Sequence, residues 1–450
     1  MAPVLAVLSA AFLASPAAPS SRAGGLTVLR TVGVSLDRRA EVLAEVEARC
    51  PRCDWGRTGR EAAALRLSLD GRYSQHLVLA RGTGTYRVAL GSLDAGEHRL
   101  EVALEAALSC RGAGRVEAVD VRIEPAAAGS PGEEALRHAP LLYLRADTLP
   151  RFTDLPLVMW YETDRTPRGH RLRYSVVFSN EDGGTPPDRL MATWGRVTDI
   201  EYVYGVELDG EGRVVHEEYQ GQDHALPAFA GRREDAHPLL WVTTRNNMVG
   251  ESGESTYRVA PAPLPFDLTR VSREAVMDAH PWTYQVSAAE VRREGRVQDG
   301  ARPGSKRIPD PGRFTYVEAC ADTTDATLAF AVGVRGRGGR TEWTWSDAGP
   351  LEWRIYRSRD NGDNGCFRGA VALPNPEAAI LGLRFRSFPR PVRKGEPPLP
   401  PGAARALLRS VNRVFRLRAD DTPGPSLLSW SGALPMEPGG EPVEVPAQGP

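Results

Sequence analysis

The sequence predicts a mainly all-β protein, and three observations carry that expectation. Short apolar runs alternate with period two over most of the chain, glycine-bearing turns separate them, and only two short segments have the signature of a helix. With 41% apolar and 7% aromatic residues among 450, the composition suits a globular protein of about two or three domains. The 56 basic and 57 acidic side chains leave a formal net charge of −1, so no basic field exists to hold nucleic acid or anionic lipid.

The first stretch, MAPVLAVLSAAFLASPAAPSSRAGG, has an apolar core from Ala2 to about Ala14 and then small residues. It is too short to span a bilayer and reads as a signal peptide over residues 1–23, which implies export to the periplasm or the medium. No later run approaches 18 uninterrupted apolar residues, so no transmembrane segment is expected in the mature chain.

From Leu26 to Glu124 the pattern is β. In AEVLAEVEARC, Val42, Ala44, Val46, Ala48 and Cys50 alternate with Glu41, Glu45, Glu47 and Arg49, and this period outweighs the helix propensity of Ala and Glu. LRLSLDG sets Leu65, Leu67 and Leu69 on one face and ends in an Asp70-Gly71 turn. QHLVLA, TYRVAL, GEHRLEVALEA and VEAVDVRIE complete a β-sandwich over residues 24–125. YRVALGSLDAGEHRLEV resembles the late strands of Ig-like or fibronectin-type domains, so the sandwich is expected to be Ig-like.

PAAAGSPGEE marks a linker at 126–136. Residues 137–420 then read as one larger β-sandwich domain, with APLLYL, LRYSVVFS, DIEYVYGVEL, RVVHEEY and PLLWVTT as its first strands. RFTYVEAC, ATLAFAVGV, TEWTWSD, LEWRIYR, GAVALP and RVFRLRAD continue it. Two short helices interrupt: SREAVMDAH before Pro281, and SAAEVRREG, where Ser287 and Glu290 form a capping box and Gly295 marks the exit. The segment 421–450, rich in Pro, Gly and Glu, is expected to be a loose tail.

Five cysteines in an exported chain point to disulfides, with at least one thiol left over. CPRC resembles a redox dithiol, but the glycines of the following DWGRTGRE would interrupt the helix such a site needs, and no second ligand pair suggests zinc. The strand order instead pairs Cys53 (or Cys50) with Cys110, and Cys320 with Cys366. DNGDNG, Asp360 to Gly365, lacks the ligand spacing of a calcium loop, and no cofactor is expected.

The candidate site lies in WGRVTDIEYVYGVELDGEGRVVHEEYQGQDH. Alternation puts Thr198, Ile200, Tyr202, Tyr204, Val206 and Leu208 on a core face and Asp199, Glu201 and Glu207 on the other. A turn centred on Gly210 and Glu211 adds His216 and Glu218 to that second face. Carboxylates and an imidazole crowded together repel unless they meet a cation, share protons or face water. Asp199, Glu201, His216 and Glu218, with His224 and His237 leaning in from the next loops, are therefore a candidate binding site, the plainer alternative being a solvated sheet face. Trp343, Trp345, Trp353 and Tyr356 form an aromatic group suited either to stacking on sugar rings or to a core.

The order APLLYL, LRYSVVFSN, WGRVTDIEYV, HEEYQGQDH, HPLLWVTTRNNM resembles the vacuolar protein sorting 62-like family of β-rich proteins, from Ala139 to Val249. Thr198-Asp199-Ile200-Glu201 lacks the tryptophan that the family carries after its aspartate. The resemblance implies fold rather than reaction. The expected function is non-enzymatic binding of a glycan or another envelope component. The alternative is a secreted hydrolase with Glu201 or Asp199 as general base and His216 or His224 beside it. An enzyme requires these groups in a pocket with perturbed pKa values, a binding module only an open surface.

Overall fold

Alternation becomes paired strand along most of the chain. The structure, a computed structural model, describes residues 25–447 except 182, 303, 351, 352, 357–363 and 393. The expected signal peptide and most of the DNGDNG turn lie outside the described residues.

In the strand Ala40–Arg49, Val42, Ala44, Val46 and Ala48 are fully buried, as the period predicts. This strand is the centre of a three-stranded sheet with Gly84–Leu93 and Glu117–Pro125. Facing it is a sheet in the order Leu26–Leu36, Gly96–Glu105, Ala64–Leu69, Arg72–Val78. The Asp70-Gly71 turn has positive φ at both residues, 50° and 76°, as a tight hairpin requires.

A second pair of sheets follows. One runs in the order Val214–Tyr219, Ile200–Asp209, Gly169–Phe178, Pro156–Arg165, Leu264–Pro265. The other holds Arg233–Glu234, His237–Val242, Leu141–Tyr143 and Arg258–Val259. One apolar core runs without a break from the first sandwich into this one, from Leu65 and Val46 to Tyr174, Val176 and Tyr204. Each large apolar side chain so buried contributes roughly 1.5–3 kcal/mol. Trp55, beyond the CPRC turn, ties the first sandwich to the helix Trp282–Arg293 by donating from Nε1 to Glu290 at 2.7 Å.

The interval expected to hold one larger sandwich carries a further pair of sheets with its own core, including Leu328, Phe330, Phe385 and Val414. Its sheets run Cys366–Ala372, Phe314–Thr324, Arg405–Arg416, Leu428–Met436, and Thr341–Trp345, Ala326–Arg335, Ile380–Pro389, Val443–Pro446. The expected loose tail therefore supplies a strand to each sheet. Its prolines and glycines mask the pattern, yet both segments sit at sheet edges, where such residues are tolerated.

Five α-helices occur among the described residues rather than two. Pro131–Arg137 begins inside the expected linker, where Ser130 accepts from Glu133 N at 3.1 Å and Glu133 accepts from Gly129 N at 2.5 Å. The helix expected to begin at Ser287 begins at Trp282 and ends at Arg293, so Ser287 is mid-helix and donates back to Thr283 O at 2.8 Å. Cys320 is bonded to Cys366, whereas Cys50 is bonded to Cys53 and Cys110 is buried and free. The turn in which Cys53 N donates to Cys50 O at 2.9 Å sets those two thiols side by side before either can reach Cys110.

Candidate functional site

A cleft of about 1950 Å³ opens over the Ile200–Asp209 sheet, bounded by the helix Pro187–Trp194 and, from the third sandwich, by Asp322 and Arg409. Three buried carboxyl groups, on Glu181, Asp199 and Glu201, line it.

Each is delivered by a different local device. Glu181 stands in the loop after Gly169–Phe178 and accepts from Thr185 N at 2.6 Å. That loop folds over its own carboxylate because Gly184 adopts φ 112° and a Cβ there would fall 2.9 Å from Glu181 Oε1. Asp199 precedes the strand Ile200–Asp209 and accepts from Asn247 Nδ2 at 3.0 Å. Asn247 is held at φ 57°, a left-handed conformation that Asn tolerates, and its amide also donates to Asn180 O at 3.2 Å. Glu201 accepts from Gln220 Nε2.

The electrostatics are unbalanced. Arg196 lies 3.7 Å from Asp199, but it also pairs with buried Glu274 at 3.2 Å, so its charge is divided. Burial, then Asp199, pushes Glu181 up to about 8. Burial raises Asp199 as well, against Arg196 and Asn247. Glu201 is raised well above the carboxylate range by burial and then by Asp199, against Arg273, Arg196 and Gln220. Glu181 therefore holds its proton at neutral pH, and burial favours the neutral form at all three positions. Among the described residues no group of three His, Cys, Asp or Glu side chains is set to hold a metal ion.

The structure brings Asp199, Glu201, Glu218 and His224 to the same cleft. His216 pairs with Glu218 at 3.3 Å and is 40% exposed, outside the cleft lining. His237 is elsewhere: it is buried where the first two sandwiches meet, with Nε2 3.2 Å from Glu41 and Nδ1 3.0 Å from Ala139 O. The hairpin register also differs from the expected one. Gly205 pairs with Glu218 and Glu207 with His216, two residues from the expected partners, which preserves the face. Against Gly169–Phe178, however, Tyr174 pairs with Tyr204 and Ser175 with Tyr202, leaving Val203 as an extra residue. This bulge breaks the alternation, so Tyr202 turns to the Glu218 side and donates to it at 3.1 Å. Tyr202 Oη lies over Gly205, where a Cβ would overlap it. Trp343 and Trp345 are half-buried and carry Arg384 and Arg386 over their rings, at 4.2 and 3.9 Å, so a guanidinium occupies the face a sugar would need.

Glu181, Asn247, Arg196 and Gln220 were missed by the sequence reading. They lie outside the alternating runs, and only the Gly183-Gly184 pair after Glu181 hinted at a shaped loop.

No family model and no curated protein matches this chain. Among solved structures it is similar to NLPPya in complex with glucosamine, at 10% identity and a TM-score of 0.22, over 30% of this chain and 71% of that one. NLPPya in complex with mannosamine gives 11% and 0.23, over 31% and 74%. A GH2 beta-galacturonidase from Eisenbergiella tayi bound to galacturonate gives 13% and 0.15, over 36% of this chain and 23% of that one. At TM-scores this low, the likeness says nothing of ligand or chemistry in this chain.

Proposed function

We propose that this is an exported binding protein whose cleft takes a hydroxyl-rich ligand, a glycan or an envelope component bearing one, without making or breaking a bond. The observation that carries this reading is the buried trio Glu181, Asp199 and Glu201 facing a wide cleft, where burial outweighs the nearby Arg196 and Arg273. A protonated carboxyl donates one hydrogen bond and accepts others, which matches the dual character of a hydroxyl group. Tyr161, Tyr202 and Phe266 add apolar surface to the same wall. Two disulfides support export, and among the described residues no helix is long and apolar enough to cross a membrane. The resemblance to the vacuolar protein sorting 62-like family belongs to the same reading, supported by three of its segments falling on the strands Leu141–Tyr143, Gly169–Phe178 and His237–Val242.

One observation favours the hydrolase alternative: Glu181, at about 8, is an acid at neutral pH and suits a general acid. Against it, His216, one of the two histidines that this alternative sets beside the base, is 40% exposed and lies outside the cleft lining. Screening the full chain on a glycan array, with reducing-end release measured for each ligand retained, tests the proposal. Binding without release, weakened in Glu201→Gln, is expected. Release of reducing ends abolished by Glu181→Gln would replace the binding reading with the enzymatic one, and retention of no glycan would overturn both.

A further inference from the structure

We infer that the cleft is built for an acidic ligand, and that Arg189 is the group that receives its carboxylate or sulfate. This rests on the reading of the cleft as a glycan site. Most arginines around the cleft already face carboxylates. Arg173 pairs with Asp164 at 2.8 Å, Arg409 with Asp322 at 3.3 Å, and Arg171 lies 4.0 Å from both Glu207 and Glu218. Arg189 lines the same cleft, is half-buried, and has no carboxylate partner among the described residues. Its Nε is buried without a hydrogen-bond partner.

The guanidinium is nonetheless held in place. It lies over the Trp194 ring, 5.5 Å from the centroid, and both residues belong to the helix Pro187–Trp194. Gly195, at φ 58°, ends that helix close against Arg368 and Gly369, which seats the helix on the strand Cys366–Ala372. A guanidinium presents a planar fork of donors that matches a carboxylate or sulfate, and stacking fixes its plane before the ligand arrives. Arg196 lies over the same indole, also at 5.5 Å, so two like charges share one ring and an anion between them would relieve their repulsion. Beside them, Glu181 is neutral at pH 7 and adds no charge against an incoming anion, and its carboxyl can bond the hydroxyls next to the acidic group. The ligand class this describes is a sugar ring bearing an anionic substituent.

Calorimetric titration of the full chain with three probes tests the inference: an oligomer of glucuronic acid, its methyl ester, and a sulfated gluco-oligosaccharide. One acidic probe is expected to bind at least tenfold more tightly than the ester, and which one it is distinguishes carboxylate from sulfate. Arg189→Gln should remove that preference while leaving the ester's affinity within twofold, and Arg189→Lys should keep part of it. Equal binding of acid and ester, or an equal loss for both in Arg189→Gln, would overturn the inference and leave the glycan reading standing. If Arg189→Gln does not fold, the Arg189→Lys arm decides: an unchanged preference overturns the inference. If none of the saccharides binds, the glycan reading fails. Citrate and sulfate then decide: they must raise the melting temperature of the wild type and not of Arg189→Gln, or the inference falls as well.

Discussion

The cleft and the junction beneath it are made of the same parts and balanced in opposite ways. In the junction, Arg368 is fully buried on the strand Cys366–Ala372 and grips Asp278 with two bonds, at 3.0 and 2.7 Å. It also reaches Glu318 at 3.1 Å and lies over Phe415, while Arg413 adds a second cation 2.9 Å from Asp278. Burial pushes Asp278 up, but Arg368, Tyr284 and Arg413 more than offset it and hold the carboxyl below its ordinary value. The side chain of Arg368 packs beneath Gly195, one residue from Arg196 and the cleft. There Arg196 is divided between Asp199 and Glu274, burial wins, and Glu181 rises to about 8. Buried acids are therefore scaffolding where two cations converge on one carboxylate, and available to a ligand where one buried cation is divided between carboxylates.

The two regions consequently give stability opposite slopes with pH. Asp278 is depressed, so its contribution is present above about 3.8 and is lost as pH falls through the folded value. Glu181 is raised, so its contribution is present below 4.5 and is lost as pH rises toward about 8.

Breaking the scaffold should have the largest effect. Arg368→Leu leaves Asp278 and Glu318 buried without their cation and is expected to cost about 3–5 kcal/mol in denaturant unfolding. A cost under about 1 kcal/mol would mean that the two acid clusters do not differ as described. The bridge Cys320–Cys366 closes the same sheet over a separation of 46 residues. Replacing both cysteines with alanine should cost up to about 4 kcal/mol in the same measurement, and replacing Cys50 and Cys53 about half of that, because their separation is only 3. In the cleft the expected sign changes. Glu201→Gln should weaken glycan binding by about tenfold, roughly 1.4 kcal/mol by calorimetry, with little loss of stability, because its neighbours already disfavour the charge. His216→Ala should do least. Its pairing with Glu218 is partly exposed, so a change under about 1 kcal/mol and an unaltered affinity are expected, and a larger loss of affinity would extend the site beyond the cleft.

The same contrast explains what the sequence revealed. Strands such as Ala40–Arg49 were legible because a local period of two reports directly on burial. Asp199, Glu201 and Glu218 were legible because they lie in such strands or directly before one. The bulge at Val203 was not, because an extra residue is set by the partner strand rather than by its own neighbours. S-x-x-E occurs at both Ser130 and Ser287. It caps a helix only at Ser130, since tertiary packing carries the other helix back to Trp282. Glu181, Arg196, Gln220 and Asn247 reach one place from four separate segments, and no local pattern encodes that convergence.

The most direct test is the folding free energy of the wild type and of the variant Glu181→Gln/Asp199→Asn/Glu201→Gln, measured by denaturant unfolding from pH 5 to pH 9. Three carboxyls whose pKa values are raised by burial in the folded state should make the wild type lose stability as pH rises across this range. The loss should reach a few kcal/mol, because each tenfold weakening of a carboxyl's acidity on folding is worth about 1.4 kcal/mol. The variant, with the three buried carboxyls removed, should show a clearly shallower slope and exceed the wild type at pH 8. Parallel profiles would contradict the account, because the trio would then be ionised and paired like Asp278.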